Sequence, residues 1–135
     1  MAETQTVTIQ ASPLKQYLTD LFKAAGMAQE PAAHCAEATV QTNLWGIDSH
    51  GVLRAPVYLK RVKSRAVNPA PDIKPVKGLG ALAVMDGDDG MGFVVGRAAM
   101  EHAISLAETH GIGAVGVTRS NHFGAAGLYT HIAAQ

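Results

Sequence analysis

The sequence predicts a mixed α/β (α+β) chain: a helical unit over residues 1–70, then the beginning of an α/β domain over residues 71–135. Three observations carry this. Apolar residues recur at helical spacing between Leu14 and Val62. Pro69, Pro71 and Pro75 then force an extended segment, because proline disfavours helical backbone in the residue before it. Beyond them, short apolar runs bounded by glycine surround one long helical stretch.

Ser12 before Pro13 reads as a helix start, with Ser12 as the capping residue. Leu14, Tyr17, Leu18, Leu21 and Phe22 form one apolar face, and Gly26 stops the helix. A second helix is expected from Pro31, with Ala33, Ala36, Val40 and Leu44 as a small-residue face ending near Trp45-Gly46. A basic third helix is expected over 56–65, with Val57, Leu59 and Val62 as its apolar contacts. Ile73–Lys77 and Ala81–Asp86 read as strands around Gly78-Leu79-Gly80, and Gly87-Asp88-Asp89-Gly90 as a turn. Phe93–His110 reads as a helix closed by Gly111, Ala114–Thr118 as a strand, and Ala125–Gln135 as a helix that finishes mid-pattern. That ending suggests a longer chain that has been cut.

Composition narrows the function. The 11 basic and 11 acidic residues cancel, which argues against a dedicated nucleic-acid binder. No apolar run approaches the roughly 20 residues that span a bilayer, and the polar start from Met1 to Gln10 lacks the regions of a signal peptide. The single cysteine, Cys35, excludes an intrachain disulfide and suits a reducing compartment, so a cytoplasmic location is expected. Seven of the eleven basic residues lie between Arg54 and Lys77. They read either as a solvated face or as cations that attract an anionic substrate.

Gly90-Met91-Gly92-Phe93-Val94-Val95-Gly96 tempts a dinucleotide-fingerprint reading, and Arg119 beyond it mimics a 2′-phosphate contact. The third glycine, however, is one position late, which turns it about 100° around the helix. Gly92 and Gly96 read better as a close-packing pair. No two of the six histidines are four apart and Cys35 has no cysteine partner, so no metal site is expected. His50 and His122 stand apart from the other four. Asp48-Ser49-His50-Gly51 lies between predicted helices and Asn121-His122-Phe123-Gly124 follows a predicted strand end. Loop imidazoles beside glycine are natural proton donors or acceptors. Arg54, four residues after His50, is suited to a two-pronged bond with a carboxylate. The residues alone give an α/β domain with two candidate acid/base histidines.

Asp48-Ser49-His50-Gly51-Val52-Leu53-Arg54-Ala55-Pro56-Val57-Tyr58 resembles the D-S-H-G-x-x-R-x-P-x-Y signature of the malate/L-lactate dehydrogenase family, which is unrelated to the Rossmann lactate dehydrogenases. Asn121-His122-Phe123-Gly124-Ala125-Ala126-Gly127-Leu128-Tyr129 resembles its second signature, N-H-F-G-x-A-G-x-Y. Val84-Met85-Asp86-Gly87, Gly90-Met91-Gly92 and Gly111-Ile112-Gly113 fit between them. The resemblance runs in order from about residue 12 to the end. It implies an N-terminal helical unit and an atypical, non-Rossmann NAD(P)-binding α/β domain, of which most would be missing here. It implies acid/base roles for Ser49, His50 and His122, with His50 favoured as principal donor, and substrate binding by Arg54 and Tyr58. The backbone of Phe123, Gly124, Ala125 and Ala126 would lie along NAD or NADP. The implied reaction is hydride transfer at C2 of a small anionic 2-hydroxy or 2-oxo acid, or an imine analogue, in a homodimer or larger assembly. A non-catalytic interaction fragment and a small Rossmann protein are the alternatives.

Overall fold

The computed structural model describes residues 7–135, so the polar start read from Met1 lies outside the described residues as far as residue 6. The elements run α1 (Ala11–Ala24), α2 (Gln29–Leu44), two short 3-10 turns (Asp48–His50 and Val52–Arg54), α3 (Ala55–Lys63), β1 (Lys74–Leu79), β2 (Leu82–Gly90), α4 (Gly92–His110), β3 (Ala114–Ser120) and α5 (Gly127–Ala133). Among the described residues no helix is long and apolar enough to cross a membrane.

Helix α1 buries Leu18 and Phe22 and leaves Tyr17 exposed. It begins at Ala11, with Gln10 extended in the cap position and no side-chain cap bond, so Ser12 is not the cap. Ser12 and Pro13 lie inside the first turn, where proline's missing N–H would have had no helical partner in any case. Helix α2 likewise starts two residues before Pro31. Its buried face is Ala32, Cys35, Ala36, Thr39 and Val40, spaced i, i+3, i+4, i+7, i+8. Of the expected face, Ala36 and Val40 are buried, whereas Ala33 is half-buried and Leu44 is exposed. The Thr39 and Thr42 hydroxyls donate to the Cys35 and Ala38 carbonyls at 2.6 and 2.8 Å, which lets two polar side chains pack inside the helix pair. In α3 the buried residues are Ala55, Tyr58 and Val62. Val57, expected as an apolar contact, is half exposed, and Tyr58 takes its place in the core.

The sheet has the order β1-β2-β3. β1 and β2 form an antiparallel hairpin around Gly80, which takes the left-handed conformation that the tight turn needs. β2 and β3 are parallel, and α4 makes the crossover between them. The expected turn at Gly87–Gly90 is instead the end of β2. Asp88 and Asp89 do adopt turn-like positive φ (47° and 55°), but the ladder resumes at Gly90 opposite Ser120. The segment is a bulged end of the strand rather than a turn that follows it. Gly111, at φ 76°, closes α4 as expected.

The main core joins the helical elements to the rest of the chain. Phe22, Cys35, Tyr58, Val62 and Val67 meet Met91, Phe93, Leu128 and Tyr129 in one cluster. A second cluster of Leu18, Ala36, Val40 and Ala55 fixes α1, α2 and the start of α3. Burying a side chain such as Phe22 or Phe93 contributes roughly 1.5–3 kcal/mol.

Candidate active site

The first candidate loop is built on Asn43, near the end of α2. Its Oδ1 accepts the Val52 N–H at 2.6 Å and its Nδ2 donates to the Asp48 carboxylate. Gly51 makes this possible, since a Cβ there would stand 1.9 Å from Asn43 Oδ1. One side chain therefore spans the 3-10 turn that carries Ser49 and His50. The Ser49 hydroxyl lies 3.0 Å from His50 Nδ1, and Arg54 Nε donates to the Ser49 carbonyl at 2.9 Å. Ser49 and Arg54 are exposed and His50 is half-buried.

The second loop leaves the end of β3. Asn121 Nδ2 donates to the Asp89 and Gly90 carbonyls, and its Oδ1 accepts from Arg61 of α3 at 2.6 Å. The backbone of Asn121 and His122 lies against Gly92 at the start of α4, where a Cβ would meet both carbonyl oxygens at 2.4 Å. His122 Nδ1 accepts the Gly124 N–H at 3.2 Å and sits 3.1 Å from the Tyr58 hydroxyl. Tyr58 is 3% exposed and meets the Phe93 ring edge-on. It reaches the site through His122 rather than through open surface.

The two loops converge. The His50 and His122 rings stack with centroids 5.6 Å apart and planes 24° from parallel. Burial holds the His122 pKa below its usual value, and the nearby cationic positions His50, Arg54 and Arg61 lower it further. The residue as a whole is exposed, and its Nδ1 faces Tyr58 and Gly124. Beyond His122, Phe123 is half exposed. Gly124 is buried at φ 75° beneath the Phe93 ring, Ala125 is half-buried and Ala126 is exposed. The Tyr129 hydroxyl donates toward the Phe123 and Gly92 carbonyls and ties this segment to α4.

A cleft of about 620 Å³ between α4 and β3 reaches the second loop through Asn121 and Phe123. Neither histidine lines it; the imidazole pair lies outside it, on a more open surface. Gly92 and Gly96 serve packing, the first against the His122 loop and the second against the Tyr129 ring, 2.5 Å from a Cβ position. Arg119 is not free for a phosphate. Its guanidinium binds Asp86, Asp88 and Asp89 at 2.7–3.1 Å. Among the described residues no group of three or more His, Cys, Asp or Glu could hold a metal ion. Asn43 was missed in the sequence, and Asn121, though it opens the second signature, was given no positioning role there. Their one signal was an amide residue beside each histidine loop, at a helix end and a strand end.

Comparison with known proteins shows which family the chain resembles. The family model described as malate/L-lactate dehydrogenase matches residues 9–135. An L-sulfolactate dehydrogenase of Methanocaldococcus jannaschii is 44% identical over 119 residues, covering 88% of this chain and 35% of that protein. A ureidoglycolate dehydrogenase (NAD(+)) of Escherichia coli is 32% identical over 127 residues, covering 94% of this chain and 36% of that protein. The solved structure of malate dehydrogenase from Pyrococcus horikoshii superposes with a TM-score of 0.92 at 35% identity, over 95% of this chain and 37% of that one. The chain thus spans about a third of the length of the curated relatives it matches. A family-model match over residues 9–135, nearly the whole chain, means that this chain belongs to the malate/L-lactate dehydrogenase family.

Proposed function

We propose that this chain is the N-terminal part of an NAD(P)-dependent oxidoreductase acting at C2 of a small 2-hydroxy or 2-oxo acid, or a related imine. The observation that carries the reading is the stacked imidazole pair, with Ser49 against one ring and Arg54 bonded to the same turn. Reduction of a 2-oxo acid adds a hydride to C2 and a proton to its oxygen, turning C=O into CH–OH. Arg54, exposed and fixed through Nε, suits the carboxylate and would orient C2. His50, backed by Ser49, would give the proton in reduction and take it in oxidation, with His122 beside it. Tyr58 would contribute through His122.

The residues present suit a nicotinamide cofactor in one respect. Phe123, the first residue of the Phe123–Ala126 segment, borders the cleft between α4 and β3, where Ala99, Ala103 and Ala114 leave room for a flat ligand. When bound, the cofactor supplies or accepts the hydride. The backbone of Phe123, Gly124, Ala125 and Ala126 would line it. We also take residues 1–70 as a helical unit and 71–135 as the start of the cofactor-binding domain. A cytoplasmic homodimer or larger assembly completes the reading.

The test is NADH and NADPH oxidation with a panel of 2-oxo acids, in this chain and in the protein extended through the downstream reading frame. Turnover by the extended protein, lost in His50→Ala, supports the proposal. No turnover there, or full activity after His50→Ala together with His122→Ala, rejects it. The alternative of a non-catalytic interaction piece draws on the exposed Leu44, Leu53 and Leu79. It predicts partner binding that survives both histidine substitutions.

A further inference from the structure

We propose that His122 acts as a neutral hydrogen-bond donor through Nε2, held in that tautomer by the Gly124 amide and the Tyr58 hydroxyl, while the transferred proton belongs to His50. The inference rests on the dehydrogenase reading above and gives the two imidazoles different work.

The two Nδ1 atoms have different surroundings. A ring nitrogen carries either a lone pair or a proton, so it accepts or donates but never does both. At His122 the Gly124 N–H points to Nδ1 at 3.2 Å. The Tyr58 hydroxyl, at 3.1 Å, can rotate to donate or accept. The amide cannot. A protonated Nδ1, in the other neutral tautomer or in the imidazolium, would set two N–H groups against each other in a half-buried place. Gly124 is also held where it is. Its φ of 75° suits glycine, and a Cβ would stand 2.3 Å from a Phe93 ring carbon. The same Phe93 ring packs edge-on against Tyr58, so one aromatic residue braces both donors.

His50 is built differently. Its Nδ1 faces the Ser49 hydroxyl at 3.0 Å, and a hydroxyl can serve either as donor or as acceptor. That ring can gain and lose a proton without leaving an unpaired N–H behind. The stack adds a second constraint, because two imidazolium rings 5.6 Å apart would repel. The low pKa of His122, due first to burial and then to His50, Arg54 and Arg61, agrees with a ring that stays neutral when its neighbour is charged. A neutral donor of this kind stabilises negative charge growing on the substrate oxygen and keeps its own proton. In reduction the oxygen's proton then comes from His50, and in oxidation it returns there.

The first test is a long-range 1H–15N correlation spectrum of the complete protein labelled with 15N-histidine, at pH 7.5. His122 is expected to show a pyridine-like Nδ1 and a pyrrole-like Nε2, with its peaks assigned by their loss in His122→Gln. If that variant does not fold, Tyr58→Phe gives the assignment, because it should shift the His122 resonances. A protonated Nδ1, alone or with Nε2, overturns the proposal. The second test compares glutamine replacements, since the amide N–H of glutamine can stand in for Nε2–H but cannot deliver a proton. His122→Gln is expected to keep kcat within about tenfold, whereas His50→Gln should lose about 10²–10⁴-fold. The reverse order overturns the proposal. An unmodified protein that turns over no 2-oxo acid would instead refute the dehydrogenase reading, and the spectrum would still decide the tautomer.

Discussion

Replacing Asn43 by alanine tests the construction of the His50 loop. The substitution removes the acceptor of the part-buried Val52 N–H and the donor to Asp48. The two losses are unequal. Asp48 is exposed, so water replaces the lost amide and that loss adds little. The Val52 N–H lies under the turn, and a buried donor left without a partner costs about 1–3 kcal/mol. Gly51 packs against the same amide, so its removal also leaves a gap that the turn must close. The expected total is about 2–3 kcal/mol, read in the complete protein as a lower urea midpoint with an unchanged slope. The turn carries both Ser49 and the Arg54 anchor, so kcat for 2-oxo acid reduction should fall alongside stability. Asn43→Asp keeps the acceptor but sets a second carboxylate beside Asp48, so it should fall between wild type and Asn43→Ala. A loss below about 0.5 kcal/mol in Asn43→Ala, with activity intact, would refute the idea that this amide holds the loop.

Burial lowers the pKa of both His34 and His122 from the usual 6.5, so the unfolded chain takes up protons before the folded one as pH falls. Stability should therefore decline from about pH 6.5 downward until the folded-state values are reached. The urea midpoint should be lower at pH 5.5 than at pH 7.5, and His34→Gln should narrow the gap; equal midpoints would contradict this. The buried Cys35 thiol is pushed up by desolvation, so it should resist a thiol reagent in the native protein and react fully in denaturant. Rapid native labelling would show that the core around it opens. Gly113→Ala places a Cβ 2.0 Å from the Ala103 carbonyl oxygen, a clash with backbone that no side-chain movement relieves, and should cost about 3 kcal/mol or more. Gly116→Ala, whose Cβ would meet only Val84 at 4.0 Å, should cost under about 1 kcal/mol. Comparable midpoints for the two variants would refute the packing argument.

The sequence was most legible where chemistry and local backbone agreed. Gly26 and Gly111 end their helices as read, and the long helix from residue 92 to 110 is where periodicity placed it. The histidine loops were visible because glycine and polar residues mark them. Where tertiary packing decides, the signal was weaker. Nothing local distinguishes Tyr58, which goes inward, from Val57, which stays half out; the choice follows from the space that Phe93 and His122 leave beside α3. Asp88 and Asp89 have turn conformations, so their place in a ladder depends on Ser120 arriving opposite Gly90 from the far end of α4. Arg119 read as a spare cation until the three carboxylates of the bulge were brought to it. Contacts over such separations leave no trace in a window of ten residues.

Arg61 reaches from α3 to Asn121, whose other amide atom clasps the tail of β2, so the His122 loop is tethered to a helix sixty positions upstream. Drift at either end of that tether would tilt an imidazole without touching it. Substitutions at positions 61 and 121 should then travel together through related sequences, each tolerated only when its counterpart changes to match.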